Sequence, residues 1–395
     1  MTPATSPPSA AQPASTPTPV RARDLGLRFD GDPGPWNALT DVAGVEVGHV
    51  TLVSGDGPLV VGEGPVRTGV TAVLPTGRAG LAAAVASGWF SLNGNGEMTG
   101  THWLTETGGL CGPVMITNTH SIGPVHQGVI DWAVANNPEL AAEWVLPVVA
   151  ETWDGYLNDI NGGHVRPEHA AAAIEAAASG PVAEGSVGGG TGMNCYGFKG
   201  GAGTSSRRVQ LGSLEYTVGA YVQANFGRRA ELRLGGHFLG DLDVPCPMEN
   251  DDWYAQDLRR GAPPGGAGSV IVLIATDAPL LPAQCTALAR RASLGLARTG
   301  TTGSHFSGDL FLAWSTASPG ALNSRFPLAD LDLESLASMS FVPWGHLDPL
   351  YAGVVHAVEE AVANALVNNT SVTGRDGHRS PALPHDLVRA RLARR

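Results

Sequence analysis

Apolar and polar positions divide the chain into two kinds of segment. Gly44–Val53, Gly69–Leu74, Val114–Thr117, Tyr216–Ala224 and Asp309–Ser315 are short, rich in β-branched or aromatic residues, and bounded by Gly, Asp or Asn. That pattern predicts strands. Ser269–Ala275 (SVIVLIA) is apolar at nearly every position, as in a strand buried on both faces. Gly128–Asn136, Pro138–Val145, Pro282–Thr299 and Leu350–Ala365 carry apolar residues at helical spacing. Pro167–Ala178 predicts a helix most clearly, with Pro and Glu168 in its first turn, an Ala-rich body and Gly180 just past its end. Strands and helices alternate irregularly and no fixed-period repeat is present, so the expected fold is a layered α/β or α+β domain.

Composition sharpens the boundaries. The tract 2–20 is Pro, Ser, Thr and Ala without apolar periodicity, which predicts a disordered tail on a globular 21–395. Residues 240–268 are polar and Pro/Gly-rich, ending in PPGGAG, and predict an exposed, mobile segment. With 24 basic against 36 acidic residues the net charge is −12, which argues against nucleic acid and anionic membrane surfaces as partners. Lys199 is the only lysine, and a solvent-facing position is expected for it. Cys111, Cys195, Cys246 and Cys285 lie far apart, without metal-site spacing, and predict reduced, partly buried thiols. No apolar stretch long enough to span a bilayer and no ordinary signal peptide is read, which predicts a cytoplasmic location.

The chemistry-bearing motifs are mostly weak. Gly188–Gly192 precedes Lys199, but no GK[ST] follows and no strand–glycine–helix context surrounds it. Glycines in a tight loop are the plainer reading. His120 and His126, and His164 and His169, lack the i, i+4 spacing of zinc hydrolases. Neither metal nor organic cofactor is therefore expected. Spacing does not exclude a Ser–His–Asp triad, but no G-x-S-x-G elbow anchors one. The Gly268–Ser269 junction is more informative. An unhindered Gly carbonyl there precedes a Ser hydroxyl at the start of a stiff strand. That order suits an N→O acyl shift, which would free an α-amine with a pKa of about 8, low enough for a general base near neutral pH. Gly-Ser before a strand also has an ordinary structural reading.

Longer segments carry a resemblance. They are Asn37–His49, Asn95–Gly100, Glu151–Asp159, Gly188–Arg207, Val222–Gly227, Gly268–Leu281, Ser307–Phe311 and Ala382–His385, in that order. Together they resemble the L-aminopeptidase D-amidase/D-esterases and β-aminopeptidases, self-cleaving N-terminal-serine hydrolases, over roughly residues 21–390. The resemblance implies a four-layer αββα sandwich, like N-terminal-nucleophile hydrolases but connected differently. It implies cleavage into 1–268 and 269–395, the smaller chain holding 395 − 268 = 127 residues. Ser269 matches the nucleophile, Asn225 and Tyr156 the oxyanion site, and Ser307 with Asp309 a pair near the nucleophile's amine. Glu151 matches the carboxylate that receives the substrate's amino group. The implied activity is release of N-terminal residues from short peptides, amino-acid amides or esters, by a cofactor-free tetramer of cleaved pairs. Two alternatives stay open: an acyl transferase like the ornithine acetyltransferases, which cleave before Thr, and an uncleaved binding protein of the same fold.

Overall fold

The computed structural model describes residues 20–142, 144–250, 253, 268–327 and 330–394. Of the expected tail the residues up to 19, and of the expected mobile segment 240–268 the residues 251–252 and 254–267, lie outside the described residues. Ten strands build two sheets: β1 Glu46–Ser54, β2 Val66–Leu74, β3 Val85–Gly94, β4 Gly109–Leu110, β5 Val114–Asn118, β6 Val148–Thr152, β7 Gly201–Leu211, β8 Leu214–Asn225, β9 Gly268–Thr276 and β10 Ser307–Ser315. One sheet runs β1-β2-β5-β6 and the other β4-β3-β10-β9-β8-β7. Within the second, β9 pairs antiparallel with β8 and parallel with β10.

Side-chain alternation explains the layering. Val73, Ile116 and Ala150 of the first sheet meet Ile271, Leu273, Leu312 and Trp314 of the second in one apolar cluster. The other faces are covered by helices. Val70, Ala72, Leu74 and Met115 pack with residues of α1 (Ile122–Asn136) and α2 (Pro167–Glu175). Val270, Val272, Ile274 and Phe311 pack with residues of α3 (Pro282–Arg298) and α4 (Asp348–Val367). Two sheets between two helical layers are the αββα sandwich that the resemblance implies, and β9 is buried on both faces as its composition predicts.

Several boundaries differ from expectation. The helix at Pro138 closes at Ala141 rather than Val145, and β6 begins at Val148. Strands β3 and β7 carry too many Gly, Ser and Thr residues to have been predicted. Helix α4 is long and apolar enough to cross a bilayer, which corrects the reading that no such stretch exists. It is a core element here. Most of it is buried, and Gly203 of β7 lies so close beneath it that a Cβ would strike the Ala361 carbonyl. All four cysteines are free, with Cys195, Cys246 and Cys285 buried. Cys246 and Trp253 are buried within the segment expected to be exposed.

Candidate active site

Ser269 is the second residue of β9, and its neighbours fix where its side chain points. Ile271, Leu273 and Ala275 face the space between the sheets, so Ser269, in phase with them, faces the same way. It is 2% exposed. Its Oγ accepts a 3.1 Å hydrogen bond from the Trp153 backbone N–H, which comes from the opposite sheet just past β6. Asn225, its register partner on β8, reaches it from the side with Nδ2 3.5 Å from Oγ.

The Asn225 amide is held in one orientation by main chain at both ends. Its Oδ1 accepts from the Asn194 N–H at 2.9 Å, and its Nδ2 donates to the Trp153 carbonyl at 2.9 Å. A flipped amide would set donor against donor and acceptor against acceptor. The N–H edge therefore faces Ser269, where a developing oxyanion would need it. Gly268 fits this arrangement sterically. A Cβ there would collide with the Asn225 carbonyl oxygen, so the residue before the serine has no room for a side chain.

Ser307 and Asp309 flank Gly308, the β10 residue paired with Ser269. The Ser307 hydroxyl donates to Asp309 Oδ1 at 2.6 Å, and Asn93 Nδ2 donates to Oδ2 at 3.0 Å. The Asp309 side chain thus reaches Ser307. Burial raises its pKa above the usual carboxylate range, opposed by the hydrogen bonds from Ser307 and Asn93.

Glu151, in β6, is buried rather than solvated as its sequence context alone suggests. Its Oε1 accepts from the Glu97 N–H at 3.0 Å, and its Oε2 accepts from the Thr119 hydroxyl. Burial raises its pKa, with the Thr119 and Glu97 bonds opposing. The Asn95–Gly96 turn closes over it. A Cβ on Gly96 would stand 3.1 Å from Gly308 Cα and 3.2 Å from Glu151 Oε1. These two glycines bring a buried carboxylate to the strand position beside the serine. An ammonium group seated there would restore the charge balance that burial disturbs.

Tyr156 is placed differently. Its hydroxyl donates to the Arg379 carbonyl at 3.4 Å, and its ring stacks on His378 with centroids 4.8 Å apart. Trp253 meets the same ring edge-on and stacks with Trp153. From this loop, the donor on Ser269 Oγ is the Trp153 N–H, a main-chain group that no side-chain motif reveals. Trp314 and Phe226, aromatic residues close in sequence to Asp309 and Asn225, belong to the core. Lys199 is fully buried rather than solvent-facing. Its Nζ donates to the carbonyls of Met193 and Gly200 at 2.8 Å each and to Gly190 at 3.3 Å. Among the described residues, no cluster of three His, Cys, Asp or Glu side chains forms that could hold a metal ion.

The chain is similar to known proteins. The model of peptidase family S58 matches residues 37–380. A curated relative, the beta-peptidyl aminopeptidase BapA of Sphingosinicella microcystinivorans, is 49% identical over 374 residues, covering 94% of this chain and 91% of its own. The solved beta-aminopeptidase of a Burkholderia species superposes with a TM-score of 0.82 at 43% identity, covering 94% of this chain and 98% of its own. The L-aminopeptidase D-Ala-esterase/amidase of Ochrobactrum anthropi, described as a prototype for the serine aminopeptidases and a new variant among the Ntn hydrolase fold, superposes with a TM-score of 0.83 at 42% identity over the same shares.

Proposed function

The chain belongs to peptidase family S58, and we propose that it is a self-processing serine aminopeptidase and amidase with Ser269 as its nucleophile. One observation carries the reading. A buried serine hydroxyl opens the central strand β9, held between the Trp153 N–H and an Asn225 amide locked donor-side toward it.

In the processing step the Ser269 Oγ attacks the Gly268 carbonyl carbon. The Gly268–Ser269 C–N bond breaks, and the hydroxyl proton ends on the released nitrogen. Water then hydrolyses the ester, leaving a Gly268 carboxylate and a Ser269 with free hydroxyl and free amine. In turnover that amine takes the hydroxyl proton as Oγ attacks the substrate carbonyl. The proton passes to the leaving amine or alcohol, and water releases the acid from the acyl-enzyme. Asn225 donates to the oxyanion. Asp309, through Ser307, holds the amine side of the nucleophile, and Glu151 receives the substrate's ammonium. The Tyr156 hydroxyl, the second donor of the proposed oxyanion site, is bonded to the Arg379 carbonyl. The names of the relatives make N-terminal β-amino residues the first substrates to try. No metal or organic cofactor takes part in this scheme.

Denaturing electrophoresis with intact mass and N-terminal sequencing tests the proposal. Two chains, one beginning Ser269-Val270-Ile271, are expected, with Ser269→Ala whole and inert. An unbroken wild-type chain that still hydrolyses amides would refute it. The acyl-transfer alternative predicts acetyl-glutamate from acetyl-ornithine and glutamate without hydrolysis, and Ser rather than Thr at 269 counts against it. The proposed assembly is a cytoplasmic homotetramer of cleaved pairs. Exposed apolar side chains at Phe326, Leu331, Leu333 and Trp344 are suited to burial between copies. Light scattering should then return four times the 40.6 kDa of one pair, and a monomeric mass would rule the tetramer out.

A further inference from the structure

Lys199 has no part in the reaction scheme, yet its ammonium ends on the peptide that orients Asn225. The Met193–Asn194 peptide unit is hydrogen-bonded at both ends. Its carbonyl accepts from Lys199 Nζ at 2.8 Å, and its N–H donates to Asn225 Oδ1 at 2.9 Å. The Asn225 amide then presents its Nδ2 to Trp153 O and Ser269 Oγ. A cation at one end of a chain of amides polarises each amide in the same sense. Charge drawn toward the Met193 oxygen makes the Asn194 N–H a stronger donor. That donor in turn draws charge onto Asn225 Oδ1 and makes the Nδ2 hydrogens more acidic. The lysine also ties the Gly190 and Gly200 carbonyls, so the glycine-rich loop is pinned from inside by one group.

We propose that Lys199 is a positioning residue of the S58 reaction, fixing and polarising the Asn225 amide through the Met193–Asn194 peptide so that it serves the oxyanion. The assignment rests on Ser269 being the nucleophile. Three carbonyl acceptors match the three hydrogens of an ammonium, so the charged form is the one that uses every donor it has. Burial pulls the Lys199 pKa down to about 7, while Cys195 and Asp154, the titratable groups facing it, pull it up. Asp154 is itself fully buried, and burial pushes its pKa up to about 7. A buried cation in such a setting is costly unless it is fully hydrogen-bonded. Its placement at one end of the Asn225 chain gives it a use.

The test combines a mutant cycle with a spectroscopic probe. On an amino-acid p-nitroanilide, Lys199→Met should lower kcat by about ten- to a hundredfold with KM within about twofold, because the lost interaction matters when the oxyanion forms. In an Asn225→Ala background the same substitution should change kcat by less than about twofold, since its effect runs through that amide. An unchanged kcat for folded Lys199→Met, or losses that simply multiply in the double variant, would overturn the assignment. Should Lys199→Met not fold, the wild-type chain still reports, because its one lysine gives a single side-chain signal after ¹³C/¹⁵N-lysine labelling. That signal should move on Asn225→Ala, and a signal that stays put would overturn the proposal. Failure of the underlying reading looks different: Ser269→Ala would then keep hydrolysing, and the role of Lys199 would fall with it. Normal turnover by Lys199→Met beside an inert Ser269→Ala refutes the Lys199 role alone.

Discussion

At the scale of single residues, the burial of Glu151 bears both on the amine-binding role proposed for it and on stability. Its carboxyl is held by the Glu97 N–H and the Thr119 hydroxyl, and burial raises its pKa above the ordinary value near 4.5. A raised carboxyl pKa means that the fold favours the protonated form. Its contribution to stability is present at low pH and is lost as pH rises through the folded-state pKa. The ionised form, which the proposed role requires, is the less stable one. Glu151→Gln should therefore be at least as stable as wild type at pH 7 to 8 by thermal melting. It should lose about ten- to a hundredfold in kcat/KM, the worth of a hydrogen bond to a charged partner. Self-cleavage should survive, because no substrate ammonium is involved. Wild-type kcat/KM should fall on the acid side around a pKa above the usual Glu range, and that limb should vanish in the Gln variant. Retained kcat/KM in Glu151→Gln would remove Glu151 from the amine site. Glu151 was legible only through family likeness, since alone it reads as a solvated charge, and Lys199, which reads as a surface lysine, was not legible at all. Neither carries a local signal of burial, because their partners are main-chain groups and side chains brought in by the fold.

At the scale of elements, legibility followed apolar content. Strands β2, β9 and β10 carry Val, Ile, Leu and Phe on buried faces and are readable from the sequence. Strands β3 and β7 are not, and the cause is their contact with helices. Gly88 of β3 lies against the Thr286 backbone of α3, and Gly203 of β7 lies against the Ala361 carbonyl of α4. A strand that must let a helix backbone this close is built from Gly, Ser and Ala, which imitates a loop in composition. The glycine-rich run Gly185–Ser206 was read as a tight loop for that reason, though its last residues, from Gly201 on, belong to the edge strand β7. The same contact sets the cost of change. In Gly203→Ala the new methyl meets backbone that cannot turn aside, so β7 and α4 must separate. Overpacking of this kind costs about 1–3 kcal/mol. Thermal or urea unfolding should show that loss, while activity per folded molecule at moderate temperature stays near wild type. Unchanged stability would mean that the sheet and helix have slack at this crossing.

At the scale of the whole molecule, the strand order decides what self-cleavage leaves behind. Processing after Gly268 would assign β9, β10, α3 and α4 to the small chain, and all other sheet strands to the large one. In the order β4-β3-β10-β9-β8-β7 the two small-chain strands sit in the middle. Strand β10 pairs with β3 on one side and β9 with β8 on the other, so both seams join the two chains by full ladders. Helix α4 lies on β7 and β8 of the large chain, and its Glu360 is salt-bridged to Arg207 and Arg23 at 2.7 and 2.8 Å. Glu360 and Arg207 are both buried, and removing either partner would strand a buried charge. The cleaved chains therefore share one core and have no separate folds to fall back on. After complete processing they should co-elute as one species in native buffer and separate only in denaturant. Urea unfolding followed by tryptophan fluorescence and by circular dichroism should give coincident transitions, as a single cooperative unit requires. Two resolved transitions, or a small chain lost on dilution, would mean that the seams between β3 and β10 and between β8 and β9 are weaker than their ladders imply. The active site would then depend on chain concentration, because Asn225 and Trp153 come from the large chain and Ser269 from the small one.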